Sequence, residues 1–277
     1  MNYALILFLF ILLQALIGSS NASINKSNDD YHCVWYGQCN ERNGVHQYCP
    51  YNGTAKSIQS EGTRILAKWC PHLISDVESE TRTCCDLDQI KAMDINVYLV
   101  ANFLSRCPSC MHNYIQHICE MTCSPQQSRY IDVVDVKKNE AGKEYITEID
   151  YFIGNDYVSG TFNSCKDVSV PSIGQKAFDL ICGAWGAMLC TPMRLFTFFG
   201  DVENNSFAPF RVNFKNTSQS VGRFIPMNNK IFPCNKAVND ASMGCSCDDC
   251  ESSCTEPKPV QSKDQLFNIS EIDYDYL

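Results

Sequence analysis

The sequence predicts an α+β fold in a single disulfide-rich domain, and three observations support this prediction. Two neighbouring stretches have helical apolar spacing, and segments rich in β-branched and aromatic residues follow them. These segments do not alternate in the strand–helix–strand order of an α/β fold. The 277 residues contain 18 cysteines, an even number that would give nine disulfides in an oxidising compartment.

The chain begins with a predicted signal peptide, residues 1–22. An apolar run from Ala4 to Gly18 is short for a membrane span, and small residues follow it at Ser20 and Ala22. The mature domain is predicted over residues 23–254. A secretory route is also indicated by Asn-X-Ser/Thr acceptor sites for glycans, which lie at Asn25, Asn52, Asn204, Asn216 and Asn268.

Two consecutive amphipathic helices are predicted at the centre of the fold. The first starts after Asp86, which can form a capping box with Gln89. The second starts at Pro108, a residue suited to a first helical turn, and stops before Pro125. Apolar residues recur at helical spacing in both, at Leu87, Ile90, Met93, Val97, Val100 and Leu104 in the first and at Met111, Tyr114, Ile115 and Ile118 in the second.

A β-hairpin is predicted after the helices. The segments RYIDVVDV (129–136) and KEYITEIDYFI (143–153) are rich in strand-forming residues, and a turn lies between them at 139–142. Further helical patterns and one strand follow, at 157–165, 175–182 and 192–199 for the helices and at 209–215 for the strand. The polar, Pro-containing segment 255–277 is predicted to be a linker or tail without a membrane anchor.

Charge and motif content exclude several classes of function. The formal net charge of −9 argues against nucleic acid, whose phosphates require clustered Lys and Arg. No zinc-protease His motif, nucleophile elbow, phosphate loop or dinucleotide fingerprint is present. We therefore expect neither an enzyme nor a metal site nor a cofactor. His112 and His117 are expected on different faces of the second helix, as surface residues.

The motif CPSC, with Cys107 and Cys110, allows three interpretations: a redox dithiol, half of a zinc site, or part of a disulfide framework. A thioredoxin-like motif ends a strand, whereas a helix precedes this one. Structural zinc usually takes two separated pairs, and the tail CSCDDCESSC would be the better candidate. Disulfides are favoured. The adjacent Cys84 and Cys85 are expected to reach different partners, because a ring between neighbours is strained.

Several motifs together resemble the amino-terminal lumenal domain of the Niemann-Pick type C1 family. The resemblance runs from Cys33 to Cys254, and the motifs occur in the family's order: CVWYGQC (33–39), CCDLDQ (84–89), FLSRCPSC (103–110), CEMTCSP (119–125), APF (208–210), PMNN (226–229) and CSCDDCESSC (245–254). It implies helices packed around a small mixed sheet that encloses a deep sterol pocket. The implied function is non-catalytic binding of cholesterol or a related sterol.

The resemblance also implies partners, location and disulfides. The sterol would come from a small soluble Niemann-Pick type C sterol carrier, in the endosomal or lysosomal lumen or outside the cell. The chain would be the front part of a longer membrane transporter, with a complete secreted protein as the alternative. All cysteines would be bridged, with the pairs Cys33–Cys84, Cys85–Cys123, Cys70–Cys119, Cys107–Cys245 and Cys110–Cys165, and with Cys39, Cys49, Cys182, Cys190, Cys234, Cys247, Cys250 and Cys254 bridged among themselves.

The family's sterol pocket carries over residue by residue. Gln89 matches the family's hydroxyl-binding glutamine, with Thr122 and Gln38 beside it. Tyr48 departs from the pattern, because the family usually has Asn there, and a phenol is larger than an amide. Wall positions match Trp35, Met93, Gln116, Ile118, Pro209 and Phe210, and entrance positions for the carrier match Leu180, Ile181, Leu195, Phe198 and Phe199.

Two other classes of protein remain open from the sequence. A cysteine-rich receptor for a folate-like or vitamin-like ligand would share the disulfides and the pocket, but it would need charged and aromatic groups around a polar heterocycle. A secreted disulfide-exchange enzyme would need at least two exchangeable thiols.

Overall fold

The computed structural model describes residues 31–75 and 81–255. The predicted signal peptide, the acceptor sites Asn25 and Asn268, and all but the first residue of the predicted tail lie outside the described residues. The α-helices in this part of the chain are α1 (Ser60–Trp69), α2 (Leu87–Leu104), α3 (Pro108–Cys123), α4 (Asn155–Cys165), α5 (Phe178–Ile181), α6 (Gly186–Leu189) and α7 (Pro192–Phe199). The strands are β1 (Cys33–Arg42), β2 (Val45–Gly53), β3 (Lys56–Ser57), β4 (Arg82–Thr83), β5 (Ile131–Lys138), β6 (Glu144–Gly154), β7 (Ser169–Val170), β8 (Gln175–Lys176) and β9 (Arg211–Thr217).

The two central helices, α2 and α3, confirm the sequence prediction. The Asp86 carboxylate accepts a hydrogen bond from the Gln89 backbone N–H at 2.9 Å, and the Gln89 side chain accepts one from the Asp86 N–H at 3.1 Å. This reciprocal pair is the predicted capping box. Pro108 occupies the first turn of α3, where its missing N–H leaves no intrahelical bond unmade.

The hairpin and the later strand form a small mixed sheet in the order β5-β6-β9. Strands β5 and β6 pair antiparallel, as the sequence predicts, with Ile131 opposite Tyr151. Strand β9 pairs with β6 in parallel, with Phe214 opposite Tyr151. Parallel neighbours need a long crossover connection, and helices α4 to α7 lie within it. The predicted α+β class is therefore confirmed.

Several elements differ from the sequence prediction or are absent from it, and the short elements β3, β4, β7 and α6 are among the latter. The segment 175–182, predicted as one helix, begins with β8, which pairs with β7, and only then forms the single turn of α5. The β1–β2 hairpin and α1 were not predicted. The hairpin turns at Asn43 and Gly44, with φ of 52° and 82°, and an Asn-Gly pair of this kind is the strongest short-range hairpin signal.

Nine disulfides join the 18 cysteines, all of which lie within the described residues. Cys84 is bonded to Cys33 and Cys85 to Cys123, so the two adjacent cysteines have different partners, as predicted. The two cysteines of CPSC are not bonded to each other either, because Cys107 is bonded to Cys245 and Cys110 to Cys165. The remaining pairs are Cys70–Cys119, which the resemblance implies, together with Cys39–Cys49, Cys182–Cys190, Cys234–Cys250 and Cys247–Cys254.

Buried apolar residues form two large clusters. The helical cluster packs around α2 and α3 and includes Ile90, Val97 and Leu104. The sheet cluster packs on β6 and on the β1–β2 hairpin and includes Trp35 and Tyr151. No helix in residues 31–75 or 81–255 has the length and apolarity needed to span a membrane.

Candidate functional site: an apolar cavity between the clusters

A cavity of about 460 Å³ lies between the helical cluster and the sheet cluster. Its wall consists of 23 residues, and none of them is charged. Helices α2 and α3 provide two sides, and strand β9 with the segment that precedes it provides a third. The volume lies within the range of about 300–1,000 Å³ that is usual for pockets of small ligands.

One face of α2 forms the first side of the cavity. Met93, Asn96, Val100 and Phe103 line it, and their spacing of three, four and three places them along a single face of the helix. Gln89 continues this face towards the start of the helix, one turn before Met93. The polar end of the α2 face is therefore its amino-terminal end.

One face of α3 forms the second side. It comprises Tyr114, His117, Ile118, Met121 and Thr122, again at helical spacing. A connection of three residues joins α2 to α3, and the disulfide between Cys85 and Cys123 ties the start of α2 to the end of α3. The two helices are therefore antiparallel, and Thr122 lies at the same end of the cavity as Gln89.

The Gln89 side chain is fully buried at this end and has one amide group without a partner. Its Oε1 accepts hydrogen bonds from the backbone N–H groups of Gly37 at 2.7 Å and Asp86 at 3.1 Å. These two donors fix the orientation of the amide, so Nε2 must lie on the other side. Among the described residues, no group accepts a hydrogen bond from this buried Nε2.

A second unpaired amide lies next to the first. Gln38 follows Gly37, whose N–H binds Gln89, and its own buried Nε2 has no acceptor among the described residues. Gln38 is paired across β1 and β2 with Tyr48, a wall residue. A buried donor left unpaired costs about 1–3 kcal/mol. Neither glutamine belongs to the cavity wall, but Gln38 pairs with the wall residue Tyr48 and Gln89 precedes the wall residue Met93 by one turn.

The predicted aromatic wall residues Trp35 and Phe210 lie behind the cavity surface, whereas Tyr48 lines the cavity. Trp35 and Phe210 are fully buried and pack on Tyr48, with ring centroids 5.7 and 5.6 Å from it. The Trp35 indole N–H donates to the Thr122 carbonyl oxygen at 3.3 Å. Pro209 does line the cavity. Trp35 and Phe210 therefore support the wall residues Tyr48, Thr122 and Pro209 from behind.

Two residues that the resemblance assigns to the pocket lie elsewhere. Gln116 is on another face of α3, where its Nε2 is 2.7 Å from His112 Nε2 and donates to the Lys230 carbonyl oxygen at 3.2 Å. Leu195 is fully buried in the helical cluster and does not reach the cavity mouth. The helical phase of α3 turns Gln116 away from the cavity, whereas Leu195 is on the same face of α7 as the wall residues Phe198 and Phe199 and is covered by the helical cluster.

The cavity opens where large apolar side chains are exposed. The exposed fraction is 41% for Leu99, 38% for Leu180 and 54% for Phe207, and all three line the cavity. The predicted entrance residues Ile181, Phe198 and Phe199 also belong to its wall. This opening, lined by Leu99, Leu180 and Phe207, is called the mouth below.

His117 lines the cavity, and the expectation that it is a surface residue is wrong. Its ring is buried and stacks on Phe199, with centroids 5.3 Å apart and an angle of 7° between the planes. Burial lowers its pKa to about 3, against a weaker opposing effect of the Tyr114 backbone. The apolar spacing of Tyr114, Ile118 and Met121 was the signal that could have placed His117 on the buried face.

The fold and the cavity define a class of protein: a disulfide-stapled α+β domain with an apolar pocket that is polar at one end. Within residues 31–75 and 81–255, no cluster of His, Cys, Asp or Glu is arranged to hold a metal ion.

The chain belongs to the Niemann-Pick C1 amino-terminal family. The family model described as Niemann-Pick C1 N terminus matches residues 30–274, which is most of the chain. This match agrees with the resemblance drawn from the sequence motifs.

Named transporters are among the relatives. The chain is 33% identical over 234 residues to the NPC intracellular cholesterol transporter 1 of Sus scrofa, covering 82% of this chain and 18% of the relative. It is 31% identical over 255 residues to homolog 1b of that transporter in Drosophila melanogaster, covering 89% and 20%. It is 29% identical over 253 residues to the human NPC1-like intracellular cholesterol transporter 1, covering 87% and 18%. The chain thus spans about a fifth of the length of these relatives.

Proposed function

We propose that this domain binds one molecule of cholesterol or a related sterol without changing it chemically. The observation that carries the proposal is the cavity itself, of about 460 Å³ with no charged residue in its wall. The buried, unpaired amide nitrogens of Gln38 and Gln89 lie next to wall residues at one end. A sterol has the matching chemistry, since it is a fused apolar ring system with one hydroxyl group. The names of the relatives, which are cholesterol transporters, support the same ligand class.

The sterol enters with its hydroxyl group first. Gln89 Nε2 donates to the sterol oxygen, and Gln38, Tyr48 and Thr122 complete the polar end. The rings lie between the apolar faces of α2 and α3, and the tail points towards the mouth. A ligand of about 28 heavy atoms at roughly 0.3 kcal/mol each gives about 8 kcal/mol, which corresponds to micromolar affinity.

The domain takes part in sterol transport inside the secretory or endosomal–lysosomal system, with secretion from the cell as the alternative. A small soluble sterol carrier of the Niemann-Pick type C system delivers the sterol at the mouth, where Leu180 and Leu99 offer exposed apolar contacts. The proposed organisation is a signal peptide at 1–22, the sterol-binding domain at 23–254 and a linker at 255–277. The glycan acceptor sites and the fully paired cysteines fit a lumenal location.

The two alternatives have less support. A folate-like ligand needs charged partners, and the 23 wall residues include none. A disulfide-exchange enzyme needs reactive thiols, and all 18 cysteines are paired. We therefore propose a non-catalytic role.

A pair of tryptophan substitutions tests the proposal. Ile118→Trp fills the cavity from the α3 side, and it should abolish the 1:1 binding of radiolabelled cholesterol that we expect of the unaltered protein. Ile95→Trp adds the same side chain at a position of α2 that is 63% exposed and outside the cavity wall, so it should bind normally. Equal binding by both variants, each with a folded circular dichroism spectrum, would contradict the proposed location of the sterol.

A further inference from the structure

One glycan acceptor site lies on the rim of the cavity. The motif is Asn204-Asn205-Ser206, and all three of its residues belong to the cavity wall near the mouth. Asn204 and Ser206 are exposed, and Phe207 follows directly. The other acceptor sites among the described residues, Asn52 and Asn216, are exposed but lie outside the wall.

Hydrogen bonds hold this part of the rim in a defined position. The Asn205 side chain donates to the Phe199 carbonyl oxygen at 3.1 Å and accepts from the Phe207 N–H at 3.1 Å. The Asn204 side chain donates from Nδ2 to the Asp201 carboxylate at 2.7 Å, and Asp201 also accepts from the Asn204 backbone N–H at 3.3 Å.

A glycan on Asn204 would retain this arrangement. The Asn amide carries two N–H groups, and N-linked glycosylation replaces one of them. The remaining N–H can still donate to Asp201. The first sugar would therefore be held at the rim, beside Phe207, and would not swing freely on a long side chain.

We propose that Asn204 carries an N-linked glycan and that this glycan shields the Phe207 side of the mouth. The rest of the mouth, which includes Leu99 and Leu180, then stays accessible to proteins and lipid surfaces. A monomeric ligand is small enough to pass the glycan. The consequence for ligand exchange rests on the proposed sterol binding, whereas the occupancy of Asn204 and the shielding of Phe207 do not.

Two substitutions of Ser206 separate the effect of the glycan from the effect of changing the protein chain. Ser206→Ala destroys the acceptor motif but leaves Asn204 and its hydrogen bond to Asp201 in place, and Ser206→Thr preserves the motif. The full chain is produced in cultured animal cells and treated with a peptide N-glycosidase, which leaves aspartate at every position that carried a glycan. Peptide mass spectrometry should show aspartate at position 204 in the unaltered protein and in Ser206→Thr, but not in Ser206→Ala. Unmodified Asn204 in the unaltered protein would overturn the proposal.

Hydroxyl-radical footprinting measures the shielding without any ligand. Labelling of Phe207 should rise severalfold in Ser206→Ala relative to Ser206→Thr, while labelling of Leu99 stays the same. The variant Asn216→Gln, which removes an acceptor site away from the mouth, should leave Phe207 labelling unchanged. Equal labelling of Phe207 in the two Ser206 variants would contradict the shielding.

Sterol exchange then tests the functional consequence. Transfer of bound sterol to lipid vesicles should be severalfold faster for Ser206→Ala than for Ser206→Thr, with equal affinity for monomeric sterol. Equal transfer rates would overturn the effect on exchange. If no variant binds sterol, the proposed function fails, and the footprinting result still decides whether the glycan shields Phe207.

Discussion

The helical and sheet clusters that enclose the cavity are stabilised in different ways. The helical cluster contains both cysteines of six disulfides, whereas the sheet cluster contains no cysteine and includes large buried rings such as Trp35, Tyr151 and Phe210. A cavity deprives the side chains on its wall of packing partners. The helical side of the cavity is therefore stabilised mainly by disulfides, whereas the sheet side is stabilised by the packing of aromatic rings.

Removal of the disulfide that closes the longest loop should give the largest loss of stability. Cys107 and Cys245 are 138 residues apart, and the double substitution Cys107→Ala/Cys245→Ala should lower the free energy of unfolding by about 5 kcal/mol. The matched pair Cys247→Ala/Cys254→Ala removes a link across 7 residues and should cost only about 2 kcal/mol. Urea denaturation measures both. Equal losses would mean that chain entropy does not explain the stabilisation.

Removal of an aromatic ring tests the sheet cluster. Phe210→Ala should lower the free energy of unfolding by about 3–5 kcal/mol, because the ring is buried against Trp35 and Tyr48. Pro209→Ala, at a position on the cavity wall, should have a smaller effect on stability and should weaken sterol binding. Thermal unfolding and a binding assay separate the two roles. A Phe210→Ala variant of unchanged stability would contradict the account of this cluster.

A decrease in pH should destabilise the fold, because His117 is buried as a neutral ring. The ring stays neutral in the folded state, where its pKa is about 3, but it takes up a proton in the unfolded state below about pH 6.5. Stability should therefore fall as the pH decreases from 6.5 towards 3, by about 1.6 kcal/mol between pH 6.5 and pH 5. His117→Leu should remove this part of the pH dependence. An unchanged pH dependence in His117→Leu would contradict this account.

Substitution of Tyr48 should give the smallest of these effects, and the quantity that changes is the sterol affinity. It belongs to the sheet wall at the polar end of the cavity, and Tyr48→Phe removes only its hydroxyl group. Sterol affinity should fall by about 0.5–1.5 kcal/mol, or roughly 2- to 13-fold. Tyr48→Asn installs the residue that the family usually has and should retain binding. If Tyr48→Phe binds as tightly as the unaltered protein, the phenol does not contact the sterol hydroxyl.

Local signals predicted the parts of the fold that depend on local interactions. The capping box at Asp86 and the apolar spacing of α2 and α3 involve residues within a few turns of one another, so local sequence signals were enough to locate both helices. The turn at Asn43 and Gly44 is equally local, and its signal was present but overlooked. The disulfide partners came only from the family resemblance, because spacing cannot select among the possible pairings.

The site was predicted less completely, because it depends on tertiary packing. Helix periodicity cannot show that His117 stacks on Phe199, a residue more than 80 positions later in the chain. A family match assigned Phe210 to the wall, but whether a residue touches the ligand or supports the residue that does depends on exact side-chain positions. Gln116 shows the same limit, since its partner is the Lys230 carbonyl oxygen, from a distant segment.

The central claim is that Gln89 binds the sterol hydroxyl group at the closed end of the cavity. The most direct test measures the affinities of the unaltered protein and of Gln89→Ala for cholesterol and for the same sterol without its 3-hydroxyl group. Gln89 also holds the backbone at Gly37 and Asp86, so its removal disturbs the structure for both ligands, and this shared loss cancels in the comparison. The account predicts that the loss of affinity is about 5- to 150-fold greater for cholesterol, which corresponds to about 1–3 kcal/mol for the unpaired partner. Equal losses for the two sterols would contradict it.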